Sequence, residues 1–227
     1  MSGGRVGITA VLLARELSRR RLAVGLLLVL PLVLYLSLLA ARQYALFTGM
    51  IGIAWSIASV GMFSILSARE IEPRLILAGF RATELLLGRL LLFGSFGLLV
   101  VGSFGVVMEI ISEPPQLPAF WLGLGLVVLI AVPLGLAIGA VVPRELEGTL
   151  VVIGVIGVEM SLPRGALVAP LLPLYGPTQL ARVATGEGTG PLLPSLVHGI
   201  AYALLLLLVA IVFWTWRTRV RRTTRQF

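Results

Sequence analysis

Long apolar stretches separated by short polar segments constrain the fold of this chain more than any other feature. A helix needs about 20 apolar residues to cross a hydrocarbon layer of roughly 30 Å, because each residue advances about 1.5 Å. Six stretches reach or approach this length, and we predict that each is a membrane-crossing helix. Their approximate limits are 22–41, 44–67, 85–108, 119–142, 149–172 and 196–216.

The composition supports this prediction. The chain is 58% hydrophobic and 12% charged, whereas soluble domains are about 45–50% apolar. A soluble protein of 227 residues has too little interior to bury so much apolar surface, but lipid tails accept it readily. We therefore predict an all-α, polytopic membrane protein with a single transmembrane domain over residues 1–227.

The arginines predict the orientation of the helices. If both termini are cytoplasmic, 15 of the 18 arginines lie inside, and only Arg42, Arg164 and Arg182 lie outside. This asymmetry is typical of the positive-inside rule. A cleaved signal peptide is the alternative for the N-terminus, but the apolar run is longer than the usual signal peptide and no clear cleavage site follows it. The expected location is the cytoplasmic (inner) membrane.

The residue types that are missing exclude several chemistries. All 18 basic residues are Arg and all 10 acidic residues are Glu, and the chain has no Lys, Asp or Cys. A P-loop nucleotide site needs its Lys, so the chain cannot be a P-loop ATPase. With no Cys and one His, we expect no metal site. The arginines lie between apolar runs, which disfavours binding of nucleic acid.

Two segments on the predicted cytoplasmic side carry most of the charge. The first precedes the first span and carries Arg15, Glu16 and Arg19 after apolar residues at helical spacing. It is either a helix lying in the membrane interface or a simple topogenic tail. The second, 67–88, has a charged start, an apolar turn that includes Leu75 and Leu77, and Gly79 before a new helix start. This pattern suits a short interfacial helix turned at the glycine, and an ordinary basic loop is the alternative.

The fifth stretch is interrupted and contains an ionisable residue. Glu159 lies near the middle of the bilayer if the helix begins near 149. Such a group faces protein or water because lipid exposure is costly. It either lines a transport pathway or couples to protons, or it pairs with Arg164 or a neighbouring helix where Pro163 breaks the span. The prolines and glycines that follow, with Arg182 among them, predict short re-entrant helices before the last span.

Two further patterns have weaker implications. The pair Gly135 and Gly139 allows close helix packing, either within the chain or between two copies. His198 raises the possibility of an intramembrane protease of the rhomboid type. However, Ser95 and Ser103 lie in GSFG rather than the GxSG pattern of that family, so we interpret His198 as an interfacial or packed residue.

Together these features resemble the permease subunits of ABC-2 type transporters, which share the type V ABC exporter fold. The segment FRATELLLGRLL resembles the coupling helix that leads into the third span, and LLPLYGPTQLARVATGEGTG resembles the segment before the last span, with Pro173 and Arg182 near its motif positions. The resemblance is to layout over nearly the whole chain. It departs at the start of the loop, where the family often has an E-R-x-x-G-T string and this chain has Glu70, Glu72, Pro73 and Arg74.

The resemblance implies a permease of an ATP-binding cassette exporter, with no ATPase site of its own. ATP and Mg would be bound by a separate ATPase subunit, and the permease would form a homodimer or heterodimer that moves a hydrophobic or amphipathic substrate such as a drug, antibiotic or lipid outward. The implied docking residues on the loop are Arg69, Glu70, Glu72, Arg74, Leu75, Leu77, Gly79 and Arg81. A proton-coupled secondary transporter that uses Glu159 is the alternative function, followed by the rhomboid-like protease.

Overall fold

The computed structural model describes residues 2–19, 21–163, 166–188 and 192–223, and no strand occurs within these ranges. The all-α prediction is therefore confirmed for the described chain. Its helices, in order, are α1 (Ser2–Arg19), α2 (Arg21–Ser37), α3 (Arg42–Ser67), α4 (Glu72–Leu77), α5 (Ala82–Ser112), α6 (Leu117–Val141), α7 (Glu145–Ser161), α8 (Tyr175–Ala184) and α9 (Leu192–Thr223). Short 3₁₀ turns occupy Ala68–Glu70 and Ala169–Leu171.

Four of the described helices are long and apolar enough to cross a membrane. These are Tyr44–Ser67, Ala82–Ser112, Leu117–Val141 and Leu192–Trp216. A fifth candidate arises if α1 and α2, which meet at 77°, together form one bent span. The described chain thus has four to five candidate spans, and the prediction of six is confirmed only to that extent.

The predicted spans 22–41 and 149–172 are shorter than expected. The helices found there, α2 and α7, have 17 residues each. The helix α7 ends at Ser161 because Pro163 forces the residue before it, Leu162, into an extended conformation. A helix of this length advances about 25 Å, which is the lower limit for crossing a bilayer.

The helix α1 confirms that the N-terminal charged segment is helical. Its Thr9 side chain packs against Gly88 of α5, where a side chain on the glycine would lie 2.8 Å from Thr9. Ile8, Val11 and Leu12 on the same helix are exposed to the surroundings of the protein. An amphipathic helix bent away from α2 is typical of the membrane interface, and this placement stays a prediction.

The helices α3 and α6 form the centre of the bundle. Within their most apolar windows 83% of the residues are buried, against 28% for α5 and 17% for α9. Gly135 and Gly139 make the close contact possible, since a side chain on either would come within 3 Å of the backbone of Ala58 or Met62 in α3. This glycine pair therefore serves packing within the chain, which is one of its two predicted uses.

Short helical pieces connect α7 to α9, as the prolines and glycines predict. The 3₁₀ turn and α8 follow the extended residue Leu162, and α8 packs against α6, α9 and α3. Gly176 of α8 lies against the backbone of Ser195, where no larger residue fits. We call this side of the molecule the α8 end, and the opposite side, which carries α4, the α4 end.

Candidate functional site

The α4 end is built around a tight turn between α3 and α5. Pro73 occupies the first turn of α4, where its missing N–H causes no loss. The helix ends in a Schellman motif, in which Gly79 donates to the Ile76 carbonyl and Phe80 donates to the Leu75 carbonyl, both at 3.1 Å. Gly79 has a φ of +90°, which favours glycine. The predicted short helix turned at Gly79 is thus present.

Arg69 ties this turn to the end of α6. Its guanidinium donates to the carbonyl of Gly139 at 2.9 Å and also to the carbonyls of Val142 and Pro143. The last carbonyls of a helix have no partner within the helix, and a cation there also interacts favourably with the helix dipole. In this structure the charge of Arg69 is engaged inside the chain.

Glu72 forms a buried ion pair with Arg89. Its Oε1 accepts a hydrogen bond from Nη2 of Arg89 at 2.7 Å, and both side chains are nearly inaccessible to solvent. The guanidinium carbon of Arg89 lies 4.5 Å from the ring centroid of Trp214, within range of a cation–π interaction. One charged cluster therefore joins α4, α5 and α9.

Other predicted docking residues face outward. Arg74, Gly79 and Arg81 are exposed, and Leu77 is 75% exposed. Leu75 is half-buried against the core. The backbone N–H of Arg81 donates to Glu84 Oε2 at 2.9 Å, which caps the start of α5, and the arginine residue is exposed. The outer surface of the turn is therefore basic and apolar.

Some predicted residues lie outside what the structure describes. The side chains of Glu16 and Glu70 do, and so does Arg164 altogether. The predicted pairing of Glu159 with Arg164 cannot be compared with the structure for that reason. Arg15 and Arg19 are exposed on α1 at the α4 end, as expected for the charged face of that helix.

At the α8 end, Glu159 is buried and bonds to the backbone. Its Oε1 accepts a hydrogen bond of 2.7 Å from the N–H of Leu174, just before α8. A cavity of about 150 Å³ adjoins the carboxylate, and Pro163 and Arg182 also line it. Glu159 and Arg182, two residues of the predicted pathway, thus line the same cavity.

His198 on α9 is a packed residue, in agreement with our interpretation. Its Nε2 lies 2.7 Å from the carbonyl of Pro170, and its ring packs between those of Tyr175 and Tyr202. Tyr202 donates to the carbonyl of Leu171. Ser95 and Ser103 each donate to the carbonyl four residues earlier in α5. None of these contacts joins the histidine to a serine.

Sequence reasoning missed the contact between Arg89 and Trp214. Trp214 is only 2% exposed, whereas Trp216, two residues further along α9, is 64% exposed. Trp214 faces the bundle and covers Arg89. A usable signal existed, since Arg89 is an ionisable residue inside an apolar run, and such a residue faces protein.

The described residues contain no group of three or more His, Asp or Glu side chains suited to holding a metal ion. The described chain is all-helical, and its long apolar helices fit the class of membrane-embedded proteins. No protein-family model and no curated protein matches its sequence. The resemblance to ABC-2 type permeases therefore rests only on the sequence features described above.

Proposed function

We propose that this chain is the permease subunit of an ATP-binding cassette exporter and that the outer surface of the α4 turn docks a separate ATPase subunit. The observation that carries the proposal is that the α4 turn has an exposed outer surface and is held by buried contacts on its inner side. Arg74, Leu77 and Arg81 face outward, while Arg69 and Glu72 fix the same turn to three long helices.

This arrangement suits the transmission of force. A docking element that moved independently of the helices would lose the motion of a bound partner. Here a displacement of α4 acts on α6 through Arg69 and on α5 and α9 through the Glu72–Arg89–Trp214 cluster. ATP and Mg would bind to the partner, since the chain lacks the Lys that a P-loop requires.

The wider proposal concerns assembly and cargo. Large parts of α5 and α9 are apolar and exposed, so they face lipid or a second permease copy, in a homodimer or a heterodimer. The proposed cargo is a hydrophobic or amphipathic molecule such as a drug, antibiotic or lipid, exported across the inner membrane by alternating access. Both termini would be cytoplasmic, because most arginines then lie inside.

The docking surface is tested by reversing its charge. The variant Arg74→Glu/Arg81→Glu is co-purified with the ATP-binding cassette subunit encoded beside the gene, and ATP-dependent transport is measured in vesicles. We expect at least a tenfold loss of complex, because two attractive contacts become repulsive at an interface. The control is Arg144→Glu, which changes an exposed arginine at the same end but outside the turn. Undiminished complex and transport in the double variant would contradict the proposal.

A proton-coupled secondary transporter is the second candidate, and the burial of Glu159 beside a cavity is the observation that favours it. It predicts transport that survives ATP depletion and is lost in Glu159→Gln. If the chain is the permease of an exporter, transport stops when ATP is depleted. Transport by the purified chain alone, without any ATPase, would favour the second candidate.

A further inference from the structure

A second feature of the α4 end is a cavity of about 540 Å³ between α1 and the α4 turn. Its walls are largely apolar, with Leu12 from α1, Leu75 and Phe80 from the turn, and Leu85 from α5. The proposed docking surface does not account for this space, because Arg74, Leu77 and Arg81 lie outside its lining.

Arginines line the same cavity. Arg15 and Arg19 extend from α1, and neither forms an ion pair with another described residue. Leu12, Arg15 and Arg19 are spaced by three and four residues and thus share one face of the helix. Arg89 also contributes to the wall, but Glu72 balances its charge. The cavity is therefore apolar inside and carries two positive charges at its α1 side that form no ion pair among the residues the structure describes.

The cavity lies where the chain leaves and re-enters the apolar layer. The candidate span of α3 ends at Ser67, and that of α5 begins at Ala82. Ala68, Ile71 and Phe80, which line the cavity, lie between these two limits. Lipid phosphates occupy this boundary between the hydrocarbon and water, and basic pockets between helices at this level suit anionic head groups.

An adjoining cavity of about 220 Å³ shares Leu13 and is lined by Leu27, Phe63 and other apolar side chains. Its lining also includes Glu145, which repels an anion. The two cavities thus suit different parts of a phospholipid. The larger cavity carries arginines that attract a phosphate, and the smaller one has apolar walls that suit an acyl chain.

We propose that the space beneath α1 is a binding site for one anionic phospholipid, with its phosphate held by Arg15 and Arg19 and an acyl chain in the apolar cavity at Leu13. The bound lipid would fix α1 against α5 and the α4 turn. The site depends on the cavity and its charges, and it stands whether or not the chain docks an ATPase.

The experiment is native mass spectrometry of the full-length chain, purified in a neutral detergent and titrated with dioleoylphosphatidylglycerol. Dioleoylphosphatidylcholine, which has the same acyl chains, and inorganic phosphate serve as the other probes. Each of Arg15→Gln and Arg19→Gln is compared with Arg144→Gln, which removes one exposed charge at the same end but does not line the cavity. Gel filtration checks that the variants remain folded.

We expect one phosphatidylglycerol per chain and weaker binding of phosphatidylcholine. Each cavity variant should lower the affinity for phosphatidylglycerol about fivefold, and the double variant about thirtyfold, whereas Arg144→Gln should change it less than about twofold. Leu12→Trp, which keeps both arginines but fills space, should also weaken binding. Equal losses in Arg144→Gln and the cavity variants, equal binding of the two lipids, or full competition by inorganic phosphate would each overturn the proposal.

Discussion

Glu72 and Glu159 are carboxylates buried at opposite ends of the bundle, and they are satisfied in different ways. Glu72 at the α4 end is matched by the full charge of Arg89, which in turn lies over Trp214. Glu159 at the α8 end accepts a backbone hydrogen bond from Leu174 and borders a cavity that Arg182 also lines. The first arrangement binds three helices into one frame, whereas the second holds a short irregular segment by separate bonds.

This difference indicates which parts of each end are able to move. Moving α4 away from α5 would separate a buried ion pair, which is costly. Moving the segment before α8 would break individual hydrogen bonds to Glu159, His198 and Tyr202, each of which contributes about 0.5–3 kcal/mol. We infer that the α4 end moves as a unit and that the α8 end rearranges locally.

The largest expected effect is at the α4 end. Arg89→Met removes the guanidinium that pairs with the buried Glu72 carboxylate, and we expect the free energy of unfolding to fall by about 3–5 kcal/mol. Unfolding in increasing sodium dodecyl sulfate, followed by far-ultraviolet circular dichroism, measures this change. The double variant Glu72→Met/Arg89→Met should recover most of the loss, because both members of this ion pair are then removed together. Equal losses in the single and double variants would show that packing, rather than charge, accounts for the effect.

A smaller effect is expected at Glu159. Glu159→Leu removes the acceptor of the Leu174 N–H, which is buried, and should lower the free energy of unfolding by about 1–3 kcal/mol. Glu159→Gln keeps a carbonyl oxygen in place and should lose about 1 kcal/mol or less. The same denaturation measurement compares them. A glutamine variant as unstable as the leucine variant would mean that the negative charge itself is needed there.

The smallest effect is expected at His198. His198→Phe keeps an aromatic ring between the tyrosines but loses the contact with the Pro170 carbonyl, so we expect a loss of about 1 kcal/mol. Hydrogen exchange of the amides in 166–174 should become faster, while exchange in α3 stays unchanged. Tyr35→Phe is the control, because it loses a hydrogen bond to Ser112 elsewhere at this end. Faster exchange in 166–174 of both variants would contradict the local effect.

Much of the fold could be predicted from the sequence because its signals are local. Apolar runs predicted the positions of α3, α5, α6 and α9, and Gly79 predicted the turn after α4. The helix ends were less predictable: Pro163 was recognised as a break, but the predicted span still continued beyond Ser161. The number of spans was predicted from the lengths of the apolar runs alone, and the structure confirms four to five candidate spans of the six.

The candidate site was less predictable, because its contacts join residues that are distant in the sequence. The docking residues were predicted as one charged loop, yet Glu72 and Arg74 face opposite ways. The direction of Glu72 depends on Arg89, one helix further along, and that of Arg89 depends on Trp214 at the far end of α9. No pattern within the loop reports on these partners.

The sequence by itself determined that this chain is helical and apolar enough for a membrane, and that it lacks the lysine of a P-loop. Composition and helical length decide those properties, since the backbone must satisfy its own hydrogen bonds in lipid. Only the tertiary structure decided which arginines form contacts inside the chain and which remain on its surface. A charge is buried only where packing brings a partner to it, and packing is a property of the whole bundle.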